Sequence, residues 1–180
     1  MWMISVNQGK NAVMLAYYRQ MNFTEFKKIK ESRIIQKNLI YSDLTESPYG
    51  DYLCIDIWWG AIDFLLVGPG ANKSNPLKKL IFGGVPLDTD DIWFDFGPIR
   101  YLEPNEVQEI SELLVKISPE VLIARYNTAS MIENQVPPDI WWTENQSEVV
   151  ISIKSCYSKI VDFFQKAASR KNYILAYITA

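Results

Sequence analysis

The 180-residue sequence contains no histidine. This absence excludes Ser-His-Asp and Cys-His catalysis, zinc sites built on imidazole ligands, and the side chain that most often moves protons near neutral pH. An enzyme with this sequence would have to rely on carboxylates, Lys, Tyr, Cys or a hard cation. We therefore assign no catalytic residue, no metal ligand and no cofactor from the sequence.

Cysteines and concentrated basic charge are also scarce. The two cysteines, Cys54 and Cys156, each lie inside an apolar helical pattern, which predicts buried, reduced thiols. The net charge is -3, and the densest basic stretch, Lys27 to Lys30, is typical of a solvated helix face. We therefore expect no nucleic-acid binding.

Long apolar segments are missing as well. No run approaches the roughly 20 residues that cross a membrane. Residues 1–10 lack the charged start and apolar stretch of a signal peptide. These features predict no membrane association, and a bacterial cytoplasmic protein is the simplest interpretation.

What the sequence does contain is typical of a globular protein. Hydrophobic residues make up 48% and aromatic residues 13% of the chain, which is enough for one full-sized core. Residues 1–12 are weakly patterned, so we expect a loose N-terminal extension there and a single domain over residues 13–180.

Strand-like segments lie at both ends and in the middle of the chain, with helical patterns between them. Ala12–Tyr18 and Asn172–Thr179 are short apolar runs that suit buried strands, whereas Gln146–Ala168 keeps the 3–4 spacing of a long amphipathic helix. This order predicts an α+β fold. We expect a small antiparallel or mixed sheet that pairs the N- and C-terminal strands and is covered by several helices.

The strongest helical pattern covers Leu53–Val67. It would place Asp56 and Asp63 on one side of the helix, two turns apart, with Gly60 between them. A glycine inside a helix costs about 1 kcal/mol relative to alanine. We therefore expect another part of the chain to approach this helix closely at Gly60.

An acidic cluster at Asp88–Asp91 raises the question of a cation site. Calcium prefers several carboxylate oxygens from one short loop. However, the central Gly and the distal Glu of a calcium-binding loop are missing from this stretch. A solvated acidic loop is the better interpretation.

Residues 95–107 combine a turn, a short strand and a helix start. Gly97-Pro98 suits a turn, and Pro104 suits the first position of a helix. Glu103 and Glu106 have capping-box spacing, although Glu is a weaker cap than Ser, Thr, Asp or Asn. Arg100, on the strand, is the natural counter-charge for Asp56 or Asp63.

The Pro-rich stretch from Val136 to Trp142 is predicted to be extended, because consecutive prolines exclude a helix. Neighbouring residues of an extended chain face opposite ways. Trp141 and Trp142 are therefore not expected to be buried together.

Taken in order, these landmarks resemble the YfbM-like family, a bacterial domain of unknown function. The resemblance runs from about Met14 to Ile178. It is carried by Met14–Tyr18, Asp56 with Trp59, Leu65–Gly68, Pro76-Leu77, Gly83-Gly84, Gly97–Val107, Arg125-Tyr126, Met131, Pro138–Trp141, and Phe164 with Ala167-Ala168.

The resemblance implies a compact α+β fold and brings no established activity. The family pattern tends to have a histidine four residues after the helix tryptophan, where this chain has Asp63. It also tends to have Thr or Ser where this chain has Glu103. Any histidine-dependent chemistry of the relatives should therefore be absent here.

Two classes of function stay open. The first is a non-enzymatic protein-interaction module, for example of the immunity or inhibitor type, that uses exposed aromatic and acidic side chains to bind a basic partner. The second is a carboxylate-based enzyme or small-ligand-binding protein with a pocket near Asp56, Asp63 and Arg100, to which Asp90, Asp91 or Asp95 could contribute. The competing interpretation of the second is a structural ion pair of Asp56 with Arg100 or Arg125. The candidate binding residues are Asp56, Trp59, Asp63, Arg100, Tyr101, Arg125, Tyr126, Trp141 and Trp142.

Overall fold

A computed structural model describes residues 14–32, 36, 50–69, 74–87, 97–142 and 145–179. The loose extension predicted for residues 1–12 and the acidic positions Asp88–Asp91 and Asp95 lie outside the described residues. Within the described ranges, one five-stranded antiparallel sheet has the order β2-β1-β5-β4-β3. Its strands are β1 (Leu15–Met21), β2 (Tyr52–Cys54), β3 (Val85–Pro86), β4 (Arg100–Leu102) and β5 (Tyr173–Thr179).

The first and last strands pair along their whole lengths at the centre of the sheet. Their register runs from Leu15 opposite Thr179 to Met21 opposite Tyr173. The predicted pairing of the N- and C-terminal strands is therefore confirmed, and the sheet is antiparallel. The N-terminal strand lies three residues further along the chain than the apolar run indicated.

Seven α-helices lie in the described part of the chain. They are α1 (Phe23–Glu31), α2 (Trp59–Val67), α3 (Lys79–Phe82), α4 (Pro104–Val115), α5 (Pro119–Ile123), α6 (Thr128–Glu133) and α7 (Gln146–Ser169). Short 3-10 turns, Asp56–Trp58 and Pro76–Lys78, precede α2 and α3. None of the described helices combines the length and apolar character needed to cross a membrane.

The alternation of side chains along the central strands builds two cores. Tyr18 and Ala176 lie in a large core together with helices α2 to α7. Met21, Leu175 and Tyr177 point to the other face, where they form a smaller core with α1. The sheet therefore separates a large helical layer from a thin second layer, as expected when both faces of a strand carry apolar residues.

Local capping signals in the sequence determine where several helices begin. The Asn22 side chain accepts a hydrogen bond from Glu25 N at 3.0 Å, and Glu25 Oε2 accepts one from Asn22 N at 2.9 Å. At the start of α4, Glu106 Oε2 accepts a hydrogen bond from Glu103 N at 3.0 Å. The reciprocal capping pattern read from the sequence is thus present at α1, and Glu106 fulfils its predicted part at α4.

The predicted helix over Leu53–Val67 is wrong in its first turn. Tyr52–Cys54 instead forms an edge strand beside β1, with Leu53 opposite Tyr18, and α2 begins only at Trp59. Residues 52–54 pair with the backbone hydrogen-bonding groups of β1. The two strands lie more than 30 residues apart in the sequence, so a local pattern does not reveal this pairing. Ile55 and Trp59 are both buried, so the apolar spacing was correct although the helix does not include Ile55.

Candidate functional site

Trp141 fastens the connection between α6 and α7 to the large core. Its side chain is 0% exposed, and its indole Nε1 donates a hydrogen bond to Val136 O at 2.6 Å. The rings of Trp58 and Tyr126 lie against it, with centroids 6.4 and 6.3 Å away. A buried indole needs such a partner for its N–H, so Trp141 both fills space and fixes the path of the chain.

Gln146, the first residue of α7, ties the same region together from the other side. Its side-chain Nε2 donates to Trp141 O at 2.8 Å. Its Oε1 accepts hydrogen bonds from Tyr126 Oη and, at 3.0 Å, from Thr128 Oγ1. Tyr126, a predicted binding residue, is thereby part of a half-buried network that holds the connection in one position.

The next residue along the chain has the opposite environment. Trp142 is 57% exposed, directly after an indole that is fully buried. The expectation that the two tryptophans would not be buried together is confirmed, although residues 141–142 form a turn rather than a strand. We define the Trp142 surface as the exposed side chains of residues 132–142, which are Ile132, Glu133, Asn134, Gln135, Asp139 and Trp142.

The stretch of sequence that contains the Trp142 surface carries only negatively charged side chains. Residues 126–153 contain four carboxylates, Glu133, Asp139, Glu144 and Glu148, and no Lys or Arg. The whole chain has 18 basic residues against 21 acidic ones, so a 28-residue stretch without Lys or Arg is unusual for it. A one-signed surface attracts partners of the opposite charge.

Gly60 is the point where α2 meets the connecting chain. A Cβ on Gly60 would lie 2.5 Å from Pro137 O and 2.6 Å from Pro137 Cγ. The predicted close approach at this glycine is therefore confirmed, and the approaching group is the proline four residues before Trp141. Only a residue without a side chain leaves room for this contact.

Asp56 does not share a helix face with Asp63. It lies in the 3-10 turn before α2, with φ of 54°, and its Oδ1 accepts a hydrogen bond from Ile57 N at 2.8 Å. The side chain is exposed. The left-handed backbone at Asp56 interrupts the spacing that the sequence pattern implied.

Asp63, on α2, is half-buried. Removal from water raises the pKa of Asp63 to about 6, and the positive charge of Lys78 opposes this shift. The charge of Asp63 in turn contributes to the raised pKa of the fully buried Tyr18, after the larger effect of burial itself. The cation that acts on Asp63 is thus Lys78, on the turn before α3, rather than Arg100.

Both predicted arginines bind backbone carbonyls. Arg100 Nη1 donates to Gly84 O at 3.2 Å. Arg125 Nη1 donates to Leu65 O at 2.9 Å and to Leu66 O at 3.3 Å, at the C-terminal end of α2. The ion pairs expected between these arginines and Asp56 or Asp63 are not found among the described residues. A cation at a helix C-terminus is favourable because the terminal carbonyls carry partial negative charge.

The two remaining candidates are largely structural. Trp59 is buried, donates from Nε1 to Met14 O at 3.2 Å, and packs edge-on against Phe82 at 5.5 Å. Tyr101 points to the thin second layer, where Lys30 Nζ lies 5.3 Å from its ring centroid. Trp59 belongs to the large core and Tyr101 to the smaller core on the other face of the sheet, so the nine predicted residues do not form one site.

The thiols have different surroundings. Cys156 is buried and donates to Ile55 O at 3.2 Å, and burial raises the pKa of Cys156 to about 12. Cys54 is half-buried on β2 and accepts from Asp56 N at 3.4 Å. Both cysteines are free, and Cys156 stays a protonated, unreactive thiol at neutral pH. Among the described residues no group of three His, Cys, Asp or Glu is arranged to hold a metal ion.

Two polar residues were not predicted from the sequence, although one is buried in the sheet and the other lines a depression. Arg19, on β1, is 0% exposed, and its guanidinium carbon lies 5.8 Å from the Tyr52 ring centroid. Ser130, on α6, lines a depression beside Arg125. A charge directly after the apolar run Ala12–Tyr18 was a usable signal for Arg19, whereas nothing in the sequence marks Ser130.

This architecture is an antiparallel sheet with its terminal strands at the centre and most of its helices over one face. It defines an α+β protein without a recognisable catalytic centre among the described residues. The family described as "Domain of unknown function (DUF1877)" matches residues 13–177, and the chain belongs to that family. The resemblance found in the sequence is therefore confirmed.

The fold is similar to that of a solved structure, the protein of unknown function YfbM from Escherichia coli. The two superpose with a TM-score of 0.68 at 18% sequence identity, over 92% of this chain and 99% of YfbM. At that identity the similarity concerns the fold alone.

A partial similarity links the chain to cellobiose 2-epimerase from Dictyoglomus turgidum. The two sequences are 29% identical over 102 residues, which is 53% of this chain and 25% of the epimerase. The chain thus matches only a quarter of the length of that enzyme.

Proposed function

We propose that this protein is a non-enzymatic protein-interaction module that binds a basic partner protein through the Trp142 surface. The observation that carries the proposal is the exposure of Trp142, 57%, on a segment whose neighbouring indole is fully buried. Tryptophan is enriched among the residues that dominate binding energy at interfaces. A large aromatic side chain held open to solvent is therefore the best available anchor for a partner.

The rigidity of the segment supports this role. The hydrogen bonds of Trp141 to Val136 O and of Gln146 to Trp141 O hold the backbone on the N-terminal side of Trp142. Binding costs less when the contact residue is already held in place, because less conformational freedom is lost on association.

The charge of the region indicates what kind of partner fits. Four carboxylates and no basic residue in 126–153 favour a partner with a positively charged face. An immunity-type or inhibitor protein that covers a basic target is one class with these properties. The free thiols Cys54 and Cys156 agree with a reducing compartment such as a bacterial cytoplasm, and we include that location in the proposal.

The carboxylate-based alternative has less support. Asp56 is exposed in a turn, Asp63 is half-buried beside Lys78, and Arg100 binds Gly84 O. These three side chains do not converge on a common cavity in the described part of the chain. Acid–base chemistry requires that its groups meet at one substrate position.

Affinity purification from the native cells, followed by mass spectrometry and affinity measurements with the purified partner, tests the proposal. Wild type should recover a basic protein in stoichiometric amount. Trp142→Ala should weaken that complex by about tenfold or more, as expected for the loss of a central aromatic anchor. Phe23→Ala is the matched control, because Phe23 is 65% exposed on α1, at the other layer of the sheet.

Two results would overturn the interaction proposal. One is recovery of no stoichiometric partner at native abundance, and the other is a partner bound equally well by wild type and Trp142→Ala. The enzyme alternative has its own test in a cellular phenotype of the deletion strain. Equal rescue by wild type and by the Asp56→Ala/Asp63→Ala double variant would eliminate it.

A further inference from the structure

A shallow depression of about 290 Å³ lies at the C-terminal end of α2. The last turn of α2 and the following Gly68-Pro69 form one side, and Arg125 and Ser130 form the other. Phe64, Val67 and Pro69 give this space apolar walls, while the two polar side chains stand opposite them. Small-ligand sites commonly combine apolar walls with a few polar groups of fixed position.

The guanidinium of Arg125 is held in place by the helix it faces. Its Nη1 donates hydrogen bonds to Leu65 O and Leu66 O. The Nε and Nη2 donors have no partner among the described residues, and no described carboxylate forms an ion pair with Arg125. The side chain is exposed. A fixed, positively charged edge with unused donors therefore borders the depression.

Ser130 adds a second polar group. Its backbone N–H and carbonyl take part in the capping of α6 and in the bond from Asn134. Its hydroxyl makes no hydrogen bond within the described part of the chain. The hydroxyl can therefore donate to a ligand that also meets Arg125.

We propose that this depression binds a carboxylate that carries a small apolar group. The planar guanidinium fork matches a carboxylate with two parallel hydrogen bonds, and Ser130 can supply a third. The apolar walls of Phe64, Val67 and Pro69 suit a side chain about the size of leucine, given a volume of about 290 Å³. The C-terminal residue of a peptide and a free organic acid both offer this chemistry.

Amide-resolved NMR titration of the full chain tests the proposal with three probes. N-acetyl-Gly-Leu offers a peptide carboxylate, its C-terminal amide lacks the charge, and 4-methylpentanoate is a free organic acid of similar shape. We expect the carboxylates to shift the amide signals of Gly68, Arg125 and Ser130 with a Kd on the order of 1 mM, which is about -4 kcal/mol. The amide should bind at least about tenfold more weakly, because it loses the charge-assisted hydrogen bonds. The tighter of the two acids identifies the source of the carboxylate.

Variants separate a binding role from a structural one. Ser130→Ala leaves the bonds of Arg125 to α2 in place and should weaken carboxylate binding by roughly threefold to tenfold. Arg125→Lys keeps the charge but loses the planar fork, and should weaken it by about tenfold. Trp142→Ala should leave carboxylate binding unchanged, so this test is independent of the interaction proposal.

Either of two results overturns the carboxylate site. One is the absence of signal changes at Gly68, Arg125 and Ser130 with both acids at concentrations well above about 1 mM. The other is equal binding of N-acetyl-Gly-Leu and its amide. If Arg125→Lys fails to fold, the Ser130→Ala variant and the amide probe still decide the question.

Discussion

Trp141 and Trp142 are chemically identical neighbours with opposite environments. The first is 0% exposed and hydrogen-bonded through its indole, and the second is 57% exposed. Burial of the Trp141 side chain stabilises the folded protein, whereas the apolar surface of Trp142 remains available for a partner. The difference teaches that residue type alone does not assign a role, because the same side chain stabilises the chain in one position and presents a contact surface in the next.

The polar groups near these tryptophans extend the comparison. Around Trp141, the side chains of Gln146 and Tyr126 satisfy one another and the local backbone. Asp63 is instead a half-buried carboxylate. Burial raises its pKa, and the positive charge of Lys78 opposes that shift. The side chains of Gln146 and Tyr126 beside Trp141 are therefore hydrogen-bonded. Asp63 instead lowers the stability of the fold, because its ionised carboxylate is partly removed from water.

Trp141→Ala should produce the largest loss. Removing a fully buried tryptophan leaves a cavity and an unpaired Val136 carbonyl, so the free energy of unfolding should fall by about 3–5 kcal/mol. Urea denaturation followed by far-UV circular dichroism measures this change. Trp141→Phe keeps most of the ring but not the N–H, and so separates packing from the hydrogen bond. A loss below about 1 kcal/mol for Trp141→Ala would show that the indole does not anchor the segment.

Gly60→Ala tests the same anchor from the side of α2. The new Cβ would lie 2.5 Å from Pro137 O, so the helix and the connecting chain would have to separate. We expect a destabilisation of about 1–3 kcal/mol from overpacking, despite the better helix propensity of alanine. Thermal unfolding measures the effect. Gly68→Ala is a useful comparison, because among the described residues no atom outside its chain neighbours lies within 4 Å of a Cβ there, and its φ of 69° is what opposes the change. Equal or higher stability of Gly60→Ala would contradict the close contact.

Asp63→Asn should have a smaller, pH-dependent effect of the opposite sign. The pKa of Asp63 is about 6 in the fold against 3.8 in the unfolded reference, so the fold disfavours the ionised carboxylate. Its contribution to stability is therefore greatest below about pH 4 and is lost as the pH rises through about 6. Asparagine removes this loss, and the variant should be more stable than wild type by about 1–2 kcal/mol near pH 7, with a smaller difference near pH 4.

Denaturation curves at both pH values check the Asp63 prediction. Asp162→Asn is the matched control, because Asp162 is an exposed residue on α7. A destabilised Asp63→Asn variant at neutral pH would mean that the carboxylate is used by the fold, most simply by an ion pair with Lys78.

Trp142→Ala should have the smallest effect on stability. Trp142 is exposed and makes no hydrogen bond or ring contact with the other residues that the structure describes, and such side chains contribute within about 0.5 kcal/mol. Equal urea midpoints for Trp142→Ala and wild type, together with the loss of partner binding, would sharpen the contrast with Trp141. A loss above about 2 kcal/mol would place Trp142 in the packed structure and remove the basis for the interaction proposal.

Local physics made much of the fold predictable. The Asn22–Glu25 capping pair, the proline that opens α4 and the long apolar stripe of α7 depend only on residues within one or two turns of each other. The pairing of the terminal strands was also predictable, since both are short apolar runs of the kind that suits buried strands. The close approach at Gly60 followed from the cost of a glycine inside a helix, although the identity of Pro137 did not.

The candidate site was far less predictable than the fold. Asp56 and Asp63 were predicted to share one helix face because a continuous helix was assumed. Residues 52–54 pair with β1 instead, so the helix begins only after Asp56 and the two carboxylates do not share a face. Arg100 and Arg125 were assigned to carboxylates, yet both bind backbone carbonyls more than 15 residues away in sequence. Charge complementarity in a sequence indicates possible partners, but distance decides among them, and helix ends and strand edges offer competing acceptors.

The sequence by itself determined the absence of histidine chemistry, the acidic stretch around Trp142, the main helix starts and the α+β composition, because each depends on residue identity or on contacts within a few positions. Only the tertiary structure decided which tryptophan is buried, which cation faces Asp63, and that Arg125 and Ser130 border one depression. Those outcomes depend on how helices and strands from separate parts of the chain pack together. Burial determines the pKa values and the exposed surface, and it exists only after that packing.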